Sequence, residues 1–472
     1  MCKRRLLLLP LALILGACAV GPDYQRPELE LPQAWPDALA VPASTAAEIQ
    51  AWWRRFDDPV LDELIERALE DNLELHLGFA RVQEARARVG LARAEQFPTV
   101  ALQAEASRQR QPAAAIGLEG IEIPPRNVFS VSGVLSYELD LWGRLARSRE
   151  AALAELERSM FAHEALRITL VADVVTGYYG LRSAQAQLDI TRQTLASREE
   201  NVRVQRLRYE AGMVDELVVM QSESDLATVR AQLPARVDAV YRRESALAIL
   251  VGLDPAALVA GLDLGAPVEE PAAAGIAIPE VLPAELLARR PDLRAVEAGL
   301  EAATARVGVA MAARLPELDL AALVGTVAGS TGDLFSSEAE SWRVGAAASG
   351  PLLDFGRGRA GVEIASALME QAELQYRAAV TVAVAEVRDA LRAYDNSLAA
   401  QRAVEDQVAA LRRTEALADI RYREGYISII ELLDAQRGLL NAELLLAQSR
   451  ADHYAATATL FKALGGGWEQ SW

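Results

Sequence analysis

The chain has 472 residues and a formal net charge of −18 at pH 7. This acidic excess excludes the basic surface that nucleic-acid binding requires. The two cysteines, Cys2 and Cys18, leave the rest of the chain without a disulfide or a thiolate metal site. The histidines, His76, His163 and His453, are scattered and have no metal-ligand spacing. We therefore expect a protein that is not an enzyme and that has no cofactor and no metal.

The first eighteen residues predict export. A basic stretch, Lys3 to Arg5, precedes an apolar run that ends at Leu15, and small residues lead to Cys18. This is the order of a secretory signal, and the run is shorter than the roughly 20 residues of a membrane-spanning helix. The segment resembles a bacterial lipoprotein signal, which implies that Cys18 is acylated; a plain signal peptide is the alternative. Ala19 replaces the aspartate that marks inner-membrane retention, so the resemblance implies outer-membrane sorting.

The mature N-terminus differs in composition from the rest. Six prolines fall within residues 18–59, which favours an extended tether. We divide the chain into a signal peptide (1–17), a lipid-anchored tether (18–59), a first repeat (60–254), an equatorial linker (255–290), a second repeat (291–465) and a tail (466–472).

The two repeats are copies of one unit. The sequence ARVGLA at residues 87–92 returns as ARVGVA at 305–310, 218 residues later. DLWGR at 140–144 is echoed by LDFGR at 353–357, and RYEAG at 208–212 by RYREG at 421–425, both 213 residues later. The order is conserved, so the sequence predicts an internal duplication with a five-residue indel between its strand-like segments.

Each repeat contains one long helix in this interpretation. Neither glycine nor proline occurs between Gly361 and Gly425, and strong helix formers dominate that segment. At about 1.5 Å per residue, a helix over 362–424 would extend roughly 95 Å. Apolar residues recur every three or four positions, which favours packing along one seam, as in a coiled coil.

The segments before the long helices alternate with period two. Apolar residues occupy 100–106 and 129–141 at every second position, and weaker alternation occurs at 318–324 and 342–348. This pattern is typical of strands with one apolar face, either in a transmembrane barrel or in an ordinary sandwich. Trp142 lies where an interfacial aromatic of a barrel would lie. Four strands cannot close a membrane barrel, so the barrel would be shared by two or three copies.

The motifs together resemble TolC-type outer-membrane efflux factors, in their lipoprotein branch. The resemblance covers nearly the whole mature chain and is carried by residues 18–24, 52–61, 140–144 and 289–293. It implies a mainly α fold in which long antiparallel helical hairpins form an α-barrel and four β-strands contribute to a shared trimeric 12-stranded β-barrel. It also implies a homotrimer that works with a periplasmic adaptor and an inner-membrane transporter of RND type. A periplasmic helical scaffold that is lipid-anchored and has no pore is the alternative.

The resemblance implies a periplasmic gate near the second helical turn. Tyr422, Glu431 and Asp434 match the gate positions, and rings of three carboxylates would favour cations and raise some of their pKa values. The alternative interpretation of Glu431 and Asp434 is a solvated helix face with no role in a gate. Ile427 replaces the gate arginine of the family, so the inter-subunit salt-bridge latch is expected to be absent. Four charged residues are candidates to replace it: Asp215, Glu216, Arg421 and Arg423.

Two glycines predict the turns at the ends of the long helices. Gly212 and Gly425 each interrupt a helical pattern, as glycines at helix C-termini do. The resemblance implies that the adaptor docks at these tips, whose residues are Arg208, Gly212, Met213, Arg421, Gly425 and Tyr426. Simple turn geometry is the alternative interpretation of both glycines.

Overall fold

The structure is a computed structural model that describes residues 19–32, 51–110, 124–262 and 286–466. The predicted signal peptide and Cys18 lie outside the described residues, as do parts of the predicted tether, linker and tail. The elements in chain order are α1 (Pro59–Asp71), α2 (Leu73–Ala94), β1 (Thr99–Gln109), β2 (Arg126–Leu139), α3 (Arg144–Glu210), α4 (Glu216–Leu250), α5 (Pro255–Ala260), α6 (Leu286–Arg289), α7 (Pro291–Ala312), β3 (Glu317–Ala328), β4 (Glu340–Ser349), α8 (Arg357–Arg423) and α9 (Ile429–Ala463).

The described residues divide into two compact units. The first unit contains residues 19–28, 81–110, 124–159 and 295–377. The second unit contains residues 29–32, 51–80, 160–262, 286–294 and 378–466.

Long helices dominate the fold, as the sequence predicts. α3 and α8 have 67 residues each, which corresponds to roughly 100 Å. α8 begins at Arg357, earlier than the predicted start, because the Asp354 carboxylate accepts the backbone N–H groups of Gly356 (3.0 Å) and Gly358 (2.7 Å). These bonds satisfy N–H groups that a helix start leaves without partners. Among the described residues, no helix combines the length and the apolar character that a membrane crossing requires.

The strands form one antiparallel sheet in the order β1-β2-β3-β4, within the first unit. Thr99 lies opposite Ser136 in the first repeat, and Glu317 lies opposite Ser349 in the second. Thr99 and Glu317 are 218 residues apart, and Ser136 and Ser349 are 213 apart, which are the two repeat offsets read from the sequence. The duplication is therefore confirmed at the level of strand register, and the five-residue indel lies in the connection between paired strands.

The core of the second unit is built around aromatic residues before α1. Trp52 stacks on Phe461 with ring centroids 4.8 Å apart, and Phe56 is fully buried beside them. Asp58 caps α1 by accepting the N–H groups of Val60 and Leu61, and it also accepts the Tyr178 hydroxyl at 2.7 Å. The cap fixes where α1 begins, and the aromatic cluster holds it against the long helices.

Candidate functional site

The sheet register places most of the large apolar residues of the four strands on one face. Residues directly opposite each other in a ladder share a face, and most apolar positions of each strand lie opposite an apolar position of the next. Val131 is an exception, since it lies opposite Thr326, which in turn lies opposite Glu340. We call this the apolar face; its residues are Val100, Leu102, Ala104, Ala106, Phe129, Val131, Gly133, Leu135, Tyr137, Leu139, Leu318, Leu320, Ala322, Val324, Trp342, Val344, Ala346 and Ala348. The weakly alternating strands of the second repeat therefore extend the apolar face that the strands of the first repeat begin.

The opposite face of the sheet carries polar and charged residues. Glu105, Glu138, Asp319 and Arg343 all lie on it, together with serines of β2. Many residues of the apolar face are exposed, among them Leu102 at 79%. A sheet with one exposed apolar face and one polar face fits a boundary between lipid and water.

Aromatic side chains lie on the apolar face and just beyond the strand ends that lead into the long helices. Trp342 is 77% exposed near the start of β4. Trp142, the predicted interfacial aromatic, follows β2 and is 37% exposed, and its indole N–H donates to the Pro316 carbonyl at 2.8 Å. Phe355 holds the matching position of the second repeat and is 91% exposed. Sequence reasoning did not single out Phe355, although the repeat alignment pairs it with Trp142.

β2 ends two residues before the predicted Leu141. The Asp140 carboxylate accepts the N–H groups of Leu145 (3.1 Å) and Ala146 (2.8 Å), and so caps the first turn of α3. Gly143 has a φ of +75°, where a side chain would be strained and would meet Ala19. The DLWGR motif is therefore a capped junction between strand and helix.

A segment near the N-terminus, residues 19–28, lies against α3 and α7 in the first unit; we call it the strap. The Val20 N–H donates to the Trp142 carbonyl at 3.0 Å. Asp23 pairs with the buried Arg147 at 2.6 Å. Arg26 makes two hydrogen bonds to Glu297, at 2.6 and 2.8 Å. These contacts hold the first described residue beside the strand–helix junction.

The tips of the helical hairpins have matching geometry. Gly212 and Gly425 have φ angles of +70° and +79°. Met213 N–H donates to the Arg208 carbonyl and Tyr426 N–H to the Arg421 carbonyl, both at 2.8 Å. This six-residue closure is the Schellman arrangement that ends a helix with glycine. Met213 and Tyr426, two of the predicted docking residues, are 76% and 79% exposed.

Tyr422 connects the two hairpins near their tips. Its hydroxyl donates to Gln205 Oε1 on α3 at 3.1 Å, and the Arg208 guanidinium lies 5.9 Å from its ring centre. Its ring packs with Val218 of α4 against a buried cluster on α9 that includes Leu432. The predicted gate tyrosine thus contacts α3 and α9 within one chain.

The two predicted gate carboxylates are exposed on the first turns of α9. Glu431 accepts the backbone N–H of Ser428 at 2.8 Å and its hydroxyl at 2.9 Å. These bonds hold the pKa of Glu431 below its usual range, opposite in direction to the repulsion expected between copies. Glu431 also caps its own helix, a structural role that sequence reasoning missed. The Asp434 side chain is 83% exposed and lies 3.9 Å from Arg437.

Two of the four charged candidates for replacing the latch make local contacts within one chain. The Asp215 carboxylate accepts the Leu217 N–H at 3.0 Å and caps α4. Arg423 pairs with Asp419 of the same helix at 2.7 Å. Neither of these contacts joins one hairpin to the other.

A buried network of polar side chains, which we call the polar knot, joins α3, α4, α8 and α9; its members are Arg198, Asp225, Gln436 and Glu415. Arg198 of α3 lies 2.6 Å from Asp225 of α4, and their side chains are only 5% and 7% exposed. Arg198 also donates to Gln436 of α9 at 2.5 Å, and Gln436 donates to Glu415 of α8 at 3.1 Å. Burial lowers the pKa of the Arg198 guanidinium. The four helices thus share one network, which sequence reasoning missed because mid-helix charges normally predict a solvated face.

Within the described ranges, no group of three or more histidine, cysteine or acidic side chains could hold a metal ion.

The chain matches known proteins over nearly its whole length. The family model described as outer membrane efflux protein matches residues 64–253 and 282–466. The probable efflux pump outer membrane protein TtgC of Pseudomonas putida is 33% identical over 477 residues, covering 99% of this chain and 96% of TtgC. Outer membrane protein OprJ of Pseudomonas aeruginosa is 32% identical over 461 residues, covering 98% of this chain and 95% of OprJ.

Solved structures agree with these relatives. The outer-membrane channel OprN is 32% identical and superimposes with a TM-score of 0.85, covering 96% of this chain and 100% of that one. The open state of the Neisseria gonorrhoeae MtrE outer membrane channel is 29% identical, with a TM-score of 0.82 and coverage of 95% and 98%. The predicted resemblance, the fold class and the expectation of an efflux channel are confirmed. The chain therefore belongs to the outer membrane efflux protein family.

Proposed function

We propose that this outer membrane efflux protein is the lipid-anchored exit duct of a tripartite pump, in which three copies form one channel. The duct conducts passively what an inner-membrane transporter of RND type and a periplasmic adaptor deliver. It performs no catalysis. The relatives include proteins named for toluene, solvent and antibiotic efflux pumps of Pseudomonas putida. We extend this range of compounds, toluene, solvents and antibiotics, to this chain, with the transporter making the selection.

The sheet is the observation that carries the proposal. Its apolar face is exposed, and among the described strands β1 and β4 each pair with only one neighbour. Strand edges left open in lipid are not tolerated, and four strands are too few to close a barrel. Three copies supply twelve strands in a closed ring. A periplasmic scaffold without a pore would have no use for an exposed apolar sheet face.

The strap supports an acyl anchor at Cys18. Its contacts with Trp142, Arg147 and Glu297 keep Ala19 beside the junction where the apolar face ends. An acyl chain on the preceding residue would start at the edge of the lipid layer, and multiple chains make such anchoring durable. Palmitate labelling that is lost in Cys18→Ala would support the anchor, and labelling that persists would contradict it.

The hairpin tips support docking of an adaptor. Met213 and Tyr426 are large, exposed side chains on turns whose backbone is fixed by hydrogen bonds. Rigid, partly apolar turns are suited to a specific protein contact. Arg208 and Arg421 supply charge beside them.

Conductance in a planar lipid bilayer tests the duct. We expect purified protein to insert and to give stepwise, cation-selective currents, because the proposed gate is acidic. Absence of current at every voltage, together with a water-soluble monomer after removal of the acyl chains, would contradict the proposal.

Neutralising the gate carboxylates is expected to reduce cation selectivity. The variant Glu431→Gln with Asp434→Asn removes two charges per copy. The glutamine side-chain oxygen can still accept the Ser428 N–H, which preserves the cap of α9. Reversal potentials in a salt gradient should shift towards the non-selective value, and block by divalent cations should weaken.

The matched control is Asp452→Asn, an exposed acid farther along α9. It should leave the reversal potential unchanged. If the gate variant behaves like this control, Glu431 and Asp434 are a solvated helix face.

A further inference from the structure

We propose that a cavity between α3 and α9, within the second unit of one chain, binds small planar aromatic carboxylates. The cavity has a volume of 450 Å³, which lies within the usual range of about 300–1,000 Å³ for small-molecule sites. We call it the interhelix cavity; it is lined by residues 178–193 of α3, residues 443–454 of α9, Asp58 and Arg412. The proposal goes beyond the passive duct, because conduction requires no ligand held between these helices.

The lining residues of each helix lie on one face. On α3 they include positions 178, 182, 186, 190 and 193, spaced by three or four residues as on one side of a helix. The Gln187 amide donates to Gln448 Oε1 at 3.3 Å and so holds α3 and α9 together along the cavity. Fifteen residues of helix extend roughly 22 Å, so the cavity is elongated. An elongated space between two helices suits a flat molecule better than a compact one.

The charges that line the cavity favour an anion. Both of its carboxylates are already engaged, since Asp58 caps α1 and Glu443 accepts the Arg412 guanidinium at 2.9 Å. Against these two acids stand three arginines, which are Arg182, Arg412 and Arg450. The lining therefore carries one net positive charge, although the whole chain has a formal net charge of −18. A guanidinium binds a carboxylate in a planar arrangement of two hydrogen bonds.

Aromatic rings lie beside these arginines. Tyr179 and Tyr454 both line the cavity, and their rings stack with centroids 3.8 Å apart. The Arg182 guanidinium lies 5.2 Å from the centre of the Tyr178 ring. The tyrosine rings and the apolar lining residues offer contacts to a flat aromatic body, while the arginines offer contacts to its carboxylate. Inorganic phosphate would satisfy only the arginines, so the combination points to an aromatic carboxylate.

The Tyr179 hydroxyl adds a hydrogen-bond donor to the same region. It is buried and has no hydrogen-bond partner among the described residues. Burial raises the pKa of this hydroxyl, so it stays protonated and can donate. Buried polar groups nearly always have a partner in folded proteins. A ligand carboxylate oxygen would provide the acceptor that the protein side chains do not.

Equilibrium dialysis with naphthoate tests the site, because the probe is planar, anionic and fluorescent. Full-length protein purified in detergent is dialysed against the probe, with a detergent blank to subtract partition into micelles. We expect saturable binding of one naphthoate per chain. Naphthylmethanol has the same rings without the charge, and naphthylmethylammonium has the opposite charge. Both should bind at least about tenfold more weakly, since a hydrogen bond to a charged group contributes more than a neutral one.

Two arginine variants locate the binding. Arg182→Gln and Arg450→Gln should each weaken naphthoate binding by about tenfold or more, and should leave the weak binding of naphthylmethanol nearly unchanged. The matched control is Arg192→Gln, because Arg192 lies on α3 outside the cavity and its side chain is 59% exposed. This control should bind naphthoate like the wild-type protein.

A third variant, Ala447→Phe, fills the cavity and should abolish binding of every probe. Its trimer content and its conductance show whether it has folded, and the arginine variants decide the question if it has not. Absence of saturable naphthoate binding to the wild-type protein would overturn the proposal. Equal affinity for naphthoate and naphthylmethanol, or equal effects of Arg182→Gln, Arg450→Gln and Arg192→Gln, would overturn it as well. None of these results bears on the duct, since conductance is measured separately.

Discussion

Replacing Asp225 with alanine is expected to destabilise the second unit by about 3–5 kcal/mol, the usual effect of leaving one buried charge without its partner. Arg198 and Asp225 are almost fully buried, and their closest atoms are 2.6 Å apart. Without the carboxylate, the guanidinium would retain the Gln436 amide oxygen at 2.5 Å but no opposite charge in direct contact.

The loss should be concentrated near the hairpin tips. Arg198 lies twelve residues before the end of α3, roughly 18 Å along the helix. The polar knot joins all four long helices at this level, so its loss should raise amide hydrogen exchange in residues 190–235 and lower the midpoint of unfolding. Because the knot connects the two hairpins, the same variant should also increase the fraction of time that the channel is open.

Two comparisons separate this effect from ordinary surface electrostatics. Asp238→Ala removes an ion pair with Arg242 that is largely exposed, and it should change stability by less than about 1 kcal/mol. Arg198→Met combined with Asp225→Leu removes both charges and should recover most of the stability. If Asp225→Ala is no more harmful than Asp238→Ala, the knot does not hold the hairpins together.

The elements that the sequence predicts best are those with a long or repeated signal. The helix predicted over 362–424 and the strand pattern at 129–141 are both long enough for the spacing of their apolar residues to distinguish helix from strand. The duplication predicts more, since two offsets reproduce the strand register of the second repeat from the first. The weak strand at 342–348 becomes clear only through that register, because alanine and glycine carry little hydrophobic contrast.

The site was less predictable because its side chains act across helices. Gly212 and Gly425 could be recognised, since their left-handed backbone is a local requirement. The Arg198–Asp225 pair could not, because the contact joins residues on different helices and nothing local marks either as buried. The helix-capping role of Glu431 escaped notice because its acidic neighbour Asp434 suggested a charge cluster, although Ser428 three residues earlier completes a capping box.

A charge on the apolar face of the sheet is expected to prevent assembly in the membrane. Leu135 lies near the middle of that face, opposite Val100 on one side and Ala322 on the other. Arginine at the centre of a membrane strand costs about 2–4 kcal/mol when it faces lipid. Leu135→Arg should therefore reduce the amount of trimer in the outer-membrane fraction, and three copies of the substitution would add their costs.

The neighbouring residue provides the control. Val134 points to the opposite face, which carries Glu138 and Arg343, so Val134→Arg would place its charge among polar groups and water. This variant should assemble at the normal level and lower the cation selectivity of the currents. Equal loss of trimer in both variants would mean that the two faces do not separate lipid from water. If Leu135→Arg assembles normally and Val134→Arg loses its trimer, the apolar face points to water and the opposite face to lipid.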